Sequence, residues 1–409
     1  MYKIKILNDI SNVGLNQFNS NYEISKTVEN EDAILLRSAD IHEYEFKDSV
    51  KCVARAGAGV NNIPIDKCTS KGIVVFNTPG ANSNAVKELV FAGLLLASRG
   101  IYQGMSWIQT QKDNANIVKD TEKQKKLYSG TELINKNLGV IGLGAIGVQV
   151  ANLALEFGMN VYGYDPFISV SSAWSLSRNV NHADSIDSII KNCDFISIHV
   201  PLNNKTKNLL NENVILKMKP GMKILNFSRD GLIDEEALMM GIENKIIDKY
   251  ITDFPMQSLI GNENILILPH LGASTEESED NCALLAAKEI IDYLEKGNIT
   301  NSVNLPDTHL DVSGRMRICC IHNNIPKMIT QISDSISNAN LNIENLINKS
   351  KKDIAYTMVD IATEADDSII NQIKAIPGMI KVTTFIFDNF NDWWTYAYGE
   401  WSINTRILK

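Results

Sequence analysis

Residues 138–147 read Leu-Gly-Val-Ile-Gly-Leu-Gly-Ala-Ile-Gly. A short apolar strand runs into glycines at 142, 144 and 147, and an apolar helix follows to about Phe157. Val161–Tyr164 is the next strand, ending at Asp165. Strand, glycine turn, helix, strand and acid in this order form a dinucleotide-binding signature, far stronger than the glycine spacing alone. Gly142 permits the tight turn, Gly144 lets the backbone approach a pyrophosphate, and Gly147 allows helix and strand to pack closely. The helix start presents unpaired N–H groups to phosphate. Asp165 can accept bonds from a ribose diol and would repel a 2′-phosphate, which favours NAD over NADP.

Outward from this stretch the pattern repeats. Strands are expected at 195–199, 223–227, 250–253 and 265–268, with helices near 185–192, 211–217 and 234–244. Before it, Lys3–Leu7, Ala33–Leu36, Cys52–Ala54 and Val74–Phe76 alternate with helical stretches. Both regions predict doubly wound, mostly parallel sheets of the α/β class. The helix Asn84–Ser98 is apolar almost all round, apart from Lys87 and Glu88, and predicts burial in a core or subunit interface. Residues 112–126 are polar and read as a solvated helix or loop. A long helix spans about Glu276–Lys296, and Ser302–Pro306 reads as an extended linker. The order strand 316–321, helix 326–338, strand 341–347, strand 355–361, helix 366–375, strand 380–386 is the ferredoxin-like βαββαβ pattern. An aromatic-rich tail carries Trp393, Trp394, Tyr396, Tyr398 and Trp401.

The 409 residues carry a net charge of −9, which argues against a basic nucleic-acid surface. The longest apolar run, Leu89–Ala97, falls far short of the roughly 20 residues a membrane span needs. The start of the chain reads as a strand and not as a signal peptide. Six scattered cysteines without a CxxC pair predict reduced thiols in a cytoplasmic protein. Cys319 and Cys320 are adjacent, so in a strand they face opposite ways. The histidines show no metal-ligand spacing, and no metal is expected.

Three residues end later strands, where open α/β sheets place ligands. Arg229 can hold a carboxylate in a two-pronged contact. His270 can move a proton near neutral pH, and Asp253 ends the strand 250–253. Each alone reads equally well as an ion pair, a core histidine or a turn cap. Their shared position beside a dinucleotide turn makes hydride transfer to a nicotinamide the better reading. His199 also ends a strand, with Pro201 shaping the loop, and reads as a cleft-lining residue.

The segments VIGLGAIG (140–147), HVPLNNKTKNLL (199–210), NFSRDGLID (226–234) and PHLGAST (269–275) resemble the D-isomer-specific 2-hydroxy acid dehydrogenases. ARAGAGVNNI (54–63) and NTPGANSNAVKELV (77–90) match as well. The resemblance covers about residues 1–386. It implies a substrate-binding domain (1–98 and 277–300), an NAD-binding Rossmann domain (99–276), a linker (301–315), an ACT-type regulatory domain (316–386) and the tail (387–409). It puts the catalytic roles on Arg229 and His270. It puts NAD contacts on Ala145, Ile146, Asp165, Phe227, Ser228, Asp253 and 270–273, including Gly272 and Ala273, with Asp253 on the nicotinamide carboxamide. Arg37 and Ser38 would meet a substrate phosphate, the amides around Arg55 and Gly57 its carboxylate, with Asn82 nearby. The implied reaction is NAD-dependent oxidation of 3-phospho-D-glycerate, the first step of serine synthesis, in a homodimer or higher homo-oligomer that forms near the helix Asn84–Ser98.

Two positions depart from the family. Ser258 stands where a glutamate usually pairs with the catalytic histidine, so His270 is expected to titrate lower unless another acid, with Glu263 nearest in sequence, substitutes. Lys327 stands where the family's amino-acid-binding loop usually has glycine, which argues against serine feedback at the C-terminal effector domain. Two other functions compete: dehydrogenation of a different D-2-hydroxy acid, with Arg37 as the discriminator, and a dinucleotide-sensing interaction protein on the same fold.

Overall fold

The computed structural model describes residues 1–387; the aromatic tail read from the sequence lies outside the described residues. The chain forms two compact units, Met1–Ala81 with the described residues from Glu279 on, and Asn82–Ser278.

The first unit opens with a five-stranded parallel sheet, β1 (Tyr2–Ile6), β2 (Tyr22–Ser25), β3 (Ala33–Leu36), β4 (Cys52–Arg55) and β5 (Val74–Asn77), in the order β2-β1-β3-β4-β5. All of β3 is buried, as an Ala-Ile-Leu-Leu run in the middle of a parallel sheet requires. β5 is an edge, and residues 302–304 close it. Phe76 and Ser302 form an antiparallel bridge, and the Val303 N–H donates to Val75 O at 2.8 Å. The Asn304 side chain accepts the Val75 N–H and donates to Ile73 O, both at 2.9 Å. The amide thus stands in for a neighbouring strand and satisfies an edge that would otherwise be buried unpaired. The stretch expected as an extended linker is extended, and it is packed.

The second unit carries seven parallel strands: β6 (Asn137–Ile141), β7 (Asn160–Tyr164), β8 (Asn181–His182), β9 (Phe195–Ile198), β10 (Met222–Asn226), β11 (Ile247–Thr252) and β12 (Ile265–Ile267). Their order is β12-β11-β10-β9-β6-β7-β8. The chain reverses direction across the sheet between β6 and β9, which creates a crevice at the carboxyl ends there. The Ser83–Ser98 helix buries Val86, Val90, Phe91 and Leu94 in this unit's core.

Back in the first unit, β13 (Met316–Asn323), β14 (Ile343–Lys351), β15 (Ile354–Ile361) and β16 (Met379–Ile386) form an antiparallel sheet in the order β14-β15-β13-β16. With the helices Met328–Ser337 and Asp367–Lys374 this is the expected ACT-like arrangement. Cys319 and Cys320 do face opposite ways. Cys319 joins Ile321, Tyr356 and Met358 in one core with Ile4, Leu35 and Phe76, whereas Cys320 packs with Ile332 and Ile373 under the helices. Arg317 and Asp360, both fully buried, form a two-pronged pair at 2.6 and 2.8 Å. Arg317 also donates to Lys296 O at 2.8 Å, which ties this sheet to the end of the Glu276–Lys296 helix. Among the described residues no helix is long and apolar enough to cross a membrane.

Candidate active site

The second unit gathers its site residues at the carboxyl ends of six strands. Gly142 follows β6 with φ +94°, and a Cβ there would press on the His199 carbonyl oxygen at 2.5 Å. Gly147 packs against Gly142 so closely that a Cβ would strike the Gly142 carbonyl oxygen. A Cβ on Gly144 would meet nothing within 4 Å. This glycine therefore borders open space, directly before the helix Ala145–Glu156, whose first turn includes Ala145, Ile146 and Gly147. Those first N–H groups lack intrahelical acceptors and favour an anion. Asp165, just after β7, spans the turn: Oδ2 accepts the Leu143 N–H and Oδ1 the Phe167 N–H, both at 2.8 Å.

After β9 comes His199. Its Nε2 lies 2.8 Å from Ser197 Oγ, and its buried Nδ1 has no partner. Burial pushes its pKa down to about 3, so the imidazole is uncharged near neutral pH. Pro201 turns the following loop, and its carbonyl accepts the Thr206 hydroxyl at 2.5 Å.

After β10 come Phe227, Ser228 and Arg229. Phe227 is buried in the core, and Ser228 Oγ donates to Ile198 O at 2.6 Å, binding this loop to β9. Asn226, only 1% exposed, organises the turn. Its Nδ2 donates to Arg229 O at 2.8 Å and its Oδ1 accepts the Ser228 N–H at 3.2 Å. The Arg229 side chain itself is exposed. Sequence reasoning passed over Asn226; the available signal was a polar amide closing an otherwise apolar strand.

After β11, Asp253 is buried at 1% exposure. Its Oδ2 accepts the Gly272 N–H at 2.9 Å, and its Oδ1 is buried without a partner. Burial pushes this carboxyl above its usual range, against the Gly272 N–H and the charges of His270 and Arg229, which favour ionisation. Both the Arg229 and His270 side chains thus lie within electrostatic reach of one carboxylate.

After β12, His270 has φ +51°, with its N–H bonded to the Asp253 carbonyl at 3.0 Å. The ring meets Phe254 edge-on, centroids 5.1 Å apart. Among the described residues no carboxylate bonds to this imidazole. Ser258 is exposed in a short 3-10 turn. Glu263 precedes β12 whereas His270 follows it, about 15 Å or more of extended chain away, so Glu263 does not supply the missing partner. Gly272 and Ala273 complete this loop, and Asn82, with a buried unpartnered Oδ1, stands at the start of the Ser83–Ser98 helix.

These features fit a dinucleotide. Gly144 leaves room for a pyrophosphate over a helix start, and two buried polar atoms, Asp253 Oδ1 and His199 Nδ1, await donors or acceptors from outside the protein. Among the described residues no cluster could hold a metal ion.

The remaining expected residues belong to the first unit. Arg37 and Ser38 follow β3, and Arg37 Nη1 pairs with Glu279 at 2.6 Å. Arg55 ends β4 and donates to Arg37 O at 2.9 Å and to Gly59 O at 2.5 Å. The Gly57 N–H is already given to Arg55 O at 2.8 Å, and a Cβ on Gly57 would crowd the Arg55 guanidinium at 2.9 Å.

Comparison with known proteins agrees with this geometry. Residues 91–272 match the model of the D-isomer specific 2-hydroxyacid dehydrogenase NAD-binding domain. D-3-phosphoglycerate dehydrogenase from Escherichia coli is 32% identical over 79% of this chain and 78% of its own length. Longer D-3-phosphoglycerate dehydrogenases are 35–36% identical but are matched over only 52–59% of their length, so the chain spans about half of these curated relatives. Among solved structures, NAD+-bound 3-phosphoglycerate dehydrogenase from Entamoeba histolytica aligns with TM-score 0.57 and 27% identity, covering 74% of this chain and 98% of that one. A glyoxylate reductase from Paecilomyes thermophila shares the fold with TM-score 0.62 and 24% identity over the same shares. On the strength of these matches, this chain belongs to the D-isomer-specific 2-hydroxyacid dehydrogenase family.

Proposed function

We propose that the protein interconverts a D-2-hydroxy acid and its 2-keto acid with NAD. The observation that carries this reading is Asp253, a buried carboxylate with one free oxygen, lying within electrostatic reach of both Arg229 and His270 beside a glycine turn. The nicotinamide supplies the hydride acceptor. Asp253 Oδ1 would take its carboxamide N–H and fix which ring face is presented. Asp165 would accept the ribose hydroxyls, and its charge favours NAD over NADP. Arg229 would hold the substrate carboxylate and stabilise charge growing on the adjacent oxygen. His270 would take the hydroxyl proton during oxidation and return it during reduction. Ala56 and Gly57 have already given their N–H groups to Leu36 and Arg55.

The relatives' names and Arg37 support 3-phospho-D-glycerate as substrate, and hence the first step of serine synthesis. The Arg37–Glu279 pair favours a second reading, an unphosphorylated D-2-hydroxy acid. Exposed Tyr102 and Met105, just beyond the Ser83–Ser98 helix, support a homodimer through that region. NADH absorbance followed with 3-phosphohydroxypyruvate, hydroxypyruvate and glyoxylate tests the substrate readings, and the mass of the protein in solution tests the homodimer. Turnover on at least one keto acid is expected, with a loss of about 10²-fold or more in His270→Ala. Full activity in that variant would remove histidine from the mechanism. NADH binding with no turnover would favour an interaction protein.

A further inference from the structure

The loop that carries Arg37 is held rigidly from behind. Arg37, Ser38 and Ala39 direct their N–H groups at Asn8 Oδ1, at 3.1, 3.1 and 2.8 Å. From the other side, Arg55 Nε and Asn62 Nδ2 donate to Arg37 O at 2.9 and 3.2 Å. With those amides spent, the loop's donors toward an anion are the Arg37 guanidinium and the Ser38 hydroxyl. The guanidinium already faces a carboxylate, that of Glu279, at 2.6 Å. Asp280, the next residue, is bonded to the Ser11 hydroxyl, which fixes this turn of the Glu276–Lys296 helix near the loop.

We infer that Glu279 sets the substrate range by competing with the substrate's tail for Arg37. The inference rests on the dehydrogenase reading and on Arg37 meeting the substituent beyond the reacting carbon. The side chains of Arg37 and Glu279 are 35% and 44% exposed, so their pair is weak enough for a ligand to open. A phosphate dianion must either displace the Glu279 carboxylate or sit beside it, and like charges at that range repel. A hydroxyl or methyl tail makes no such demand. The pair therefore biases this chain toward unphosphorylated D-2-hydroxy acids, and a neutral residue at 279 releases Arg37 for phosphate. Glu279 acts through Arg37, so it is a positioning residue.

The test compares 3-phosphohydroxypyruvate with hydroxypyruvate, which differ only by the phosphoryl group, using the full chain and NADH. In Glu279→Gln the ratio of the two kcat/KM values is expected to rise about tenfold in favour of the phosphorylated substrate. The change is carried by KM for that substrate, with kcat on hydroxypyruvate nearly constant. Glu279→Lys, with a long chain at the same half-exposed position, moves the ratio further the same way. In an Arg37→Gln background the Glu279 substitution moves the ratio much less than in the parent, which separates a direct pair from a diffuse field. An unchanged or falling ratio in an active Glu279 variant, or an equal shift without Arg37, overturns the inference and leaves the dehydrogenase reading intact. Absence of turnover on both keto acids in the parent chain overturns the inference, and the dehydrogenase reading falls with it only if glyoxylate is not reduced either.

Discussion

Asp253 Oδ2 accepts the Gly272 N–H at 2.9 Å, joining the loops that follow β11 and β12 through one buried carboxylate. His270, in the second of these loops, donates its own N–H to the Asp253 carbonyl at 3.0 Å. The loop holding the proposed proton carrier is thus fastened to the residue proposed to orient the nicotinamide. Asp253→Asn can keep the Gly272 bond through its carbonyl oxygen, but it turns an amide donor toward the carboxamide side. NADH affinity is expected to weaken about tenfold. Stability follows the other sign. The folded carboxyl is raised by burial, so its contribution is full below the unfolded pKa and is lost as pH rises through the folded one. The asparagine variant should therefore melt no lower than the parent at pH 8. NADH fluorescence titration and a melting curve check both, and a variant that binds NADH normally would remove Asp253 from the cofactor site.

Gly144 and Gly147 separate binding from folding. At Gly144 the backbone is extended, with φ −79°, and a Cβ would stand in open space. Gly144→Ala should fold with unchanged or slightly raised stability and lose about tenfold or more in NADH affinity, because the methyl occupies the approach of the pyrophosphate. At Gly147 the methyl would strike the Gly142 carbonyl oxygen inside the protein. Gly147→Ala should lose about 3 kcal/mol of stability. Equal melting temperatures for the two variants would contradict this assignment.

The same contrast shows what was readable from the sequence. The β6 turn was legible because its three glycines each answer a separate local demand. β9 and β10 were legible because central strands buried on both faces read as apolar runs. β2 was missed: Tyr-Glu-Ile-Ser at a sheet edge needs little hydrophobicity and carries almost no signal. In β13, seven of eight residues are buried, which records two buried faces but not what the second one meets. The strand-end positions of Arg229, Asp253 and His270 followed from the strands themselves. Asn226 and Glu279 did not, because their roles depend on partners: a backbone oxygen made reachable by a turn, and an arginine 242 positions away.

Asn226 should matter to activity more than its distance from the chemistry suggests. Its two hydrogen bonds close the turn that presents Arg229. Asn226→Ala leaves the half-buried Ser228 N–H and the Arg229 carbonyl without this partner and should cost about 1–3 kcal/mol in stability. Misplacing the guanidinium should lower kcat/KM for the keto acid about 10- to 100-fold. NADH affinity, which draws on other loops, should hold. Asn226→Asp keeps the Ser228 bond but loses the donor to the Arg229 carbonyl, and should fall between. An Asn226→Ala enzyme within twofold of the parent would show that the turn is fixed by other contacts.

Glu289 gives the fold a pH dependence of its own. It lies inside the Glu276–Lys296 helix, where Oε1 accepts the Asn301 amide at 2.7 Å and Oε2 is buried without a partner. Burial, with the charge of Asp307 adding to it, pushes the carboxyl up to about 8. A glutamate ionises in the unfolded chain near pH 4.3. Below that, both states are protonated and the contribution is full. Between there and about 8 the unfolded chain gives up a proton that the folded one keeps, so stability falls by at most about 1.4 kcal/mol per pH unit. Above 8 both are ionised and the loss levels off. Glu289→Gln, which keeps an acceptor for Asn301 and cannot ionise, should therefore gain on the parent steadily from pH 5 to 8, measured as the difference between their melting temperatures. Parallel curves would mean that the folded protein already holds Glu289 ionised, and that a cation or solvent reaches Oε2.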